Sequence, residues 1–118
     1  MGSLVSLFDN FTASLVSKDL DKLMDLFTED SSYIVYAKGF EPVFGKHAIR
    51  AFSESEFKKF ENYSVEKLFV CEDENYIVVE WLVKYKELKL NKMVESRGVT
   101  IIESKQGLIQ NIREYIKS

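Results

Sequence analysis

The second half of the chain restricts the fold most. From Tyr63 to Ile116, four long stretches rich in β-branched and aromatic residues follow one another with only short polar turns between them. Tyr63–Cys71 ends at the turn Glu72-Asp73-Glu74-Asn75, and Tyr76–Leu88 ends at a turn over Leu88–Asn91. Lys92–Ser104 passes through Lys105-Gln106-Gly107 into Leu108–Ile116. No helical period intervenes, so consecutive runs are expected to pair antiparallel as a meander.

The first half reads differently. Leu4, Leu7, Phe8, Phe11, Leu15 and Val16 recur at three- and four-residue spacings behind Ser3, which can cap a first helix. Ser17-Lys18 breaks it, and Asp19 caps a second helix whose buried face is Leu20, Leu23, Met24 and Phe27. Thr28–Ser32 is expected to end that helix, and Tyr33–Ala37 to form a strand. Lys38–Phe44, with Gly39 and Pro42, reads as a loop. Gly45 then opens a third helix, from Lys46 to about Lys59, with Ile49, Phe52, Phe57 and Phe60 inward. Helices first and a meander last predict an α+β fold. Three N-terminal helices would pack inside a strongly curved mixed or antiparallel sheet, a shape that encloses a pocket. With 118 residues, one domain spanning 1–118 is expected.

Composition narrows the function classes. The net charge of −3 argues against a general nucleic-acid binder, which needs a basic face to displace counterions from phosphate. One cysteine, Cys71, permits no internal disulfide, and with a single histidine, His47, no Cys/His metal cluster. Nothing approaches the roughly 20 apolar residues of a membrane span, and Asp9 interrupts the first apolar run with no basic segment ahead of it. A cytoplasmic location without membrane or nucleic-acid partners is expected. Nine Phe, six Tyr and one Trp exceed what a minimal core needs, so an aromatic-lined cavity and a densely filled core are both open readings.

Alternation along the strands adds a partner. Ile77, Val79, Trp81, Val83 and Tyr85 share one face of their strand, and Tyr76, Val78, Glu80, Leu82 and Lys84 the other. Val78 and Leu82 on the second face are too apolar for a solvated back. No helix is left to cover them, so a homodimer packed through the sheet is expected.

Several segments resemble the NTF2-like superfamily, in particular its SnoaL-like and ketosteroid-isomerase-like branch. They are Asp19-Leu20-Asp21, Leu26-Phe27, Glu29-Asp30, Gly45, Ala48-Ile49-Arg50 and Phe52, then Arg97-Gly98-Val99, Gly107-Leu108-Ile109 and Arg113-Glu114-Tyr115. The resemblance covers nearly the whole chain. It implies a cone open at one end, often dimeric, in which acid/base groups act in an apolar cavity without a cofactor or metal. Fold alone does not select a reaction. The tyrosine and two aspartates of ketosteroid isomerase would fall here at Phe11, at Val35 or Tyr36, and among Arg97, Gly98 and Val99, none of which supplies the needed group. An epoxide hydrolase of this kind needs an Asp-Arg-Asp set. A dehydratase of this kind needs a histidine paired with aspartate, and His47 lies in the first turn of the third helix, where exposure is expected.

One polar constellation remains. If the Trp81 face is concave, the neighbouring strand is expected to add Glu95, Arg97, Val99 and Ile101, and the last strand Gln110, Ile112, Glu114 and Ile116. Glu114 or Glu95 would then carry a proton and Arg97 would stabilise an anion, although the same set serves equally as a structural ion pair. The expected ligand lining is Phe52, Trp81, Val79, Arg97, Glu114 and Tyr36, for a small, mostly apolar molecule. Strand geometry lets only one of Tyr33 and Tyr36 face inward, and the sequence leaves that choice open. Two functions follow: a ligand-binding protein with cofactor-independent acid/base chemistry of the isomerase, cyclase or hydratase kind, or a non-catalytic homodimeric interaction module. A cavity of several hundred cubic ångströms would favour the first, and one packed shut by aromatics the second.

Overall fold

A computed structural model describes residues 4–117. In order along the chain it contains α1 (Leu4–Ser17), α2 (Leu20–Met24), β1 (Phe27–Tyr36), β2 (Val43–Phe44) and α3 (Lys46–Phe57). Then come β3 (Phe60–Glu72), β4 (Tyr76–Glu87), β5 (Lys92–Lys105) and β6 (Leu108–Lys117). The Ser3 cap expected for α1 lies outside the described residues.

The six strands form one sheet in the order β2-β1-β6-β5-β4-β3. The meander β3 to β6 pairs antiparallel throughout, whereas β1 joins β6 in parallel, so the sheet is mixed. The helices pack on one side of it. Leu7, Phe8 and Phe11 of α1, Leu23 and Met24 of α2, and Ile49 and Phe57 of α3 meet Ile77, Val79, Trp81, Val83, Ile102 and Ile112 of the sheet in the buried core. This is the α+β cone expected from the order of the elements.

Local chemistry explains most of the boundaries. Asp19 caps α2 by accepting from the Lys22 amide at 3.1 Å. Gly45 precedes α3 with φ of 90°, a left-handed conformation that a Cβ would strain, and its amide donates to the Ser31 carbonyl at 2.7 Å. Long-range pairing moves the others. Phe27 does not continue α2, because its backbone pairs with Ile109 of β6 and its ring is buried among core residues. Thr28–Ser32 therefore lies in a strand and not in a turn, with Thr28 Oγ1 2.9 Å from Gln110 Oε1. Val43 and Phe44 leave the expected loop to pair with Tyr33 and Ser32. Phe60 belongs to β3 and not to α3. Val16 points to solvent at 52% exposure, away from the expected helix stripe.

The register of β5 corrects a larger expectation. Trp81 pairs with Gly98, Val79 with Thr100, Ile77 with Ile102 and Val83 with Ser96. The inward set of β5 is thus Ser96, Gly98, Thr100 and Ile102, the opposite phase from Glu95, Arg97, Val99 and Ile101. The reason is steric. Trp81 occupies the space above Gly98, where an added Cβ would collide with the Tyr115 carbonyl and lie 2.7 Å from the indole. Gly98→Ala is expected to destabilise the fold by about 1–3 kcal/mol through overpacking. Urea unfolding measures this, and an unchanged midpoint would show that the indole relaxes freely.

Candidate functional site

Between the concave face and the helices lies a cavity of about 340 Å³. Tyr33 and Val35 of β1, Phe52, Ser53 and Phe57 of α3, Phe60 and Tyr63 of β3, Trp81, Val83 and Tyr85 of β4, and Glu114 and Ile116 of β6 line it. Four elements carry the aromatics, so the rings meet only once the cone closes. Tyr33 lies 5.5 Å from Phe52 between ring centroids, and Tyr63 stacks on Tyr85 at 5.9 Å.

Glu114 is the polar centre of this wall. Tyr33 donates its hydroxyl to Oε1 at 2.5 Å and Thr100 donates to Oε2 at 3.0 Å. Thr100 Oγ1 in turn accepts from the Trp81 indole N–H at 2.7 Å. This gives a continuous chain Trp81–Thr100–Glu114–Tyr33, each member from a different strand. Among the described residues, no cation lies within ion-pair distance of Glu114.

Burial pushes the Glu114 carboxyl above its ordinary value, while the two hydroxyl donors pull it partly back. Tyr33 is pushed well above the usual phenol range by burial and by the neighbouring Glu114 charge. Tyr63 moves up for the same two reasons, and Tyr85 moves up through burial and the charges of Glu87 and Glu56. The tyrosines therefore keep their protons at neutral pH and act as hydrogen-bond donors, and Glu114 is the carboxyl of the wall whose shift is resolved.

The predicted site residues divide sharply. Phe52, Trp81 and Glu114 come together on the cavity wall. Val79 is fully buried beneath it, in the core and not on the lining. Arg97 and Glu95 do not reach the cavity. The β5 phase turns both to the outer face, where Glu95 sits 3.7 Å from Lys84 across the strands. Tyr36 also faces outward, 48% exposed and stacked on Tyr115 at 4.6 Å, so the inward tyrosine of β1 is Tyr33. His47 is exposed, as expected. Thr100 and Tyr63 were missed by sequence reasoning. Tyr85, expected on the Trp81 face, does line the cavity, whereas Thr100 became visible only with the register. Among the described residues, no group of three or more His, Cys, Asp or Glu side chains is placed to hold a metal ion. No helix among them is long and apolar enough to cross a membrane.

Residues 8–112 match the family described as the SnoaL-like domain. This chain belongs to that family. The fold is shared widely within the NTF2-like superfamily. A protein with a ketosteroid isomerase-like fold from Catenulispora acidiphila, in complex with trimethylamine, superposes with a TM-score of 0.82 at 16% identity, covering 92% of this chain and 83% of that one. An NTF2-like protein from Burkholderia xenovorans gives 0.77 at 18% identity over 96% and 88% of the two chains. An LEH-like epoxide hydrolase from M. tuberculosis gives 0.79 at 16% identity over 95% and 80%. At these identities the likeness is one of fold. No curated protein matches the sequence.

A pH dependence follows for this SnoaL-like domain. Because the folded carboxyl of Glu114 sits above its ordinary value of 4.5, the native state binds the extra proton. The stability it contributes is present below that ordinary value and is lost as pH rises through the folded one. Glu114→Gln cannot titrate there. Relative to wild type, the variant should therefore gain stability between about pH 4 and pH 8. Urea midpoints of both proteins at the two ends test this, and a relative loss would mean that the hydrogen bonds outweigh burial.

Proposed function

We propose that this chain binds a small, mostly apolar molecule in the cone and that Glu114 exchanges a proton with it, in cofactor-independent acid/base chemistry. The observation that carries this reading is a partly buried, proton-poised carboxyl on the wall of an open, aromatic-lined cavity of about 340 Å³. That volume lies at the small end of ligand pockets, which suits a one-ring or branched-chain compound. Apolar walls hold the body of the ligand, and Tyr33 and Thr100 fix both oxygens of the carboxyl, so little reorganisation is needed for proton transfer.

Arg97 and Glu95 take no part in this chemistry, since they lie on the other face of the sheet. The reaction class is tested without knowing the natural substrate. Loss of α-protons from cyclohexanone in heavy water, followed by proton NMR, reports enolisation by a positioned carboxylate. The wild-type protein should accelerate it over buffer, and Glu114→Gln should lower that acceleration by about 10²-fold, the scale of general-base catalysis. Equal rates in the two proteins would remove Glu114 from proton transfer.

A second reading concerns assembly, and we propose that it coexists with the first. The outer face carries two mostly apolar rows in register, each with one charged member: Val78, Ile101, Arg113 and Ile34, and beside it Glu80, Val99, Tyr115 and Tyr36. Tyr36 and Tyr115 stack there with 48% and 43% of their surface exposed. Exposed paired aromatics on an uncovered sheet support pairing of two copies through this face. Tyr115→Glu is expected to convert a dimer to a monomer in sedimentation velocity, and a wild-type monomer at tens of micromolar would sink the proposal.

A further inference from the structure

The charge of the cavity is as distinctive as its shape. Its charged lining is Glu56, Lys59, Glu87 and Glu114. Lys59 Nζ is already held by Glu56 at 2.5 Å, so the one cation of the wall is neutralised. Among the described residues, neither Glu87 nor Glu114 has a cation at ion-pair distance. The cavity therefore carries an excess of negative charge, in keeping with the upward push that Glu114, Glu56 and Glu87 exert on the three tyrosines.

The hydrogen bonds of Glu114 favour its charged form. Thr100 has one hydroxyl proton and its oxygen already accepts from Trp81, so that proton is directed to Oε2. Tyr33 directs its own to Oε1. Both carboxyl oxygens are acceptors in this arrangement, which favours the carboxylate, while burial without a counter-charge opposes it. A positive charge placed in the cavity resolves that conflict.

The walls suit such a charge. Tyr33, Phe52 and Trp81 line the cavity together with Glu114, and Phe60, Tyr63 and Tyr85 form a second ring cluster with centroids 5.0–6.1 Å apart. Ring faces attract cations, and tryptophan does so best. The second cluster already holds one: Lys18 Nζ lies 4.9 Å from the centroid of Phe60.

We propose that the cavity is an aromatic box for an organic cation, an amine in its protonated or quaternary form. Its alkyl or aryl groups lie against the rings and its charge faces Glu114. The inference rests on the reading of the cone as a small-molecule site and adds the chemical class of the ligand. Among the described residues, a carboxylate or phosphate ligand has no unpaired cation on this wall to meet.

Trp81 is the single tryptophan of the chain and lines the cavity, so its emission reports occupancy. Three probes with a common branched body are titrated: choline, its neutral carbon isostere 3,3-dimethylbutan-1-ol, and the anion 3,3-dimethylbutanoate. Choline should bind at least tenfold more tightly than the alcohol, and the carboxylate should bind weakest. In Glu114→Gln the choline preference should fall to within about threefold, the remainder coming from the rings. If the alcohol binds as well as choline in the wild-type protein, the cavity is a ligand site and the cation inference is overturned. If none of the three alters Trp81 emission at tens of millimolar, the reading of the cone as a small-molecule site is overturned along with it. The wild-type comparison stands even where Glu114→Gln does not fold.

Discussion

The contact of Trp81 with Gly98 organises this molecule. An indole on β4 needs a partner without a side chain on β5, and the space at Gly98 admits no Cβ. That pairing sets the phase of β5 and so turns Thr100 inward, within reach of both the indole N–H and the Glu114 carboxyl. A shift of one residue would turn Arg97 and Glu95 inward and take Thr100 away from Glu114. Packing in the core and chemistry at the site thus rest on one steric complementarity.

What the cone adds is separation of a carboxyl from water without supplying a protein cation. Each of Trp81, Thr100, Glu114 and Tyr33 comes from a different strand, so their hydrogen-bonded chain exists only in the folded sheet. Fixed donors and apolar walls make a carboxyl more responsive to whatever enters the cavity than an exposed one would be. A proton and an organic cation are two ways of meeting the same demand, which links the proposed proton transfer to the proposed ligand class.

The two faces of the sheet have divided roles. Inward residues make the cavity and the core. The outward set combines an apolar band with charged pairs such as Lys84–Glu95. Arg97 belongs to the outward set. The family resemblance reaches the fold through both faces, whereas the proposed chemistry uses only the inner one.

The sequence by itself determined helices first and a four-strand meander last, the inward face of β4, and that of β6 from Ile112 onward. It missed β2, and a bulge puts Ile109 and not Gln110 in the core. Hydrophobic alternation is a local signal, and Ile77-Val79-Trp81 and Ile112-Glu114-Ile116 state it clearly. It also placed Phe52, Trp81 and Glu114 on the cavity wall. It misplaced Phe27, because a residue that fits the buried stripe of a helix fits a parallel strand equally well. The inward face of β5 was illegible, since Ser96, Gly98 and Thr100 are less hydrophobic than their outward neighbours Val99 and Ile101. Small and hydroxyl-bearing residues are inside because a large ring from the next strand fills the room, and only the tertiary register brings that ring there. The pairing of β1 with β6 chose Tyr33 over Tyr36 and brought its hydroxyl to Glu114, because residues some eighty positions apart meet only through the sheet.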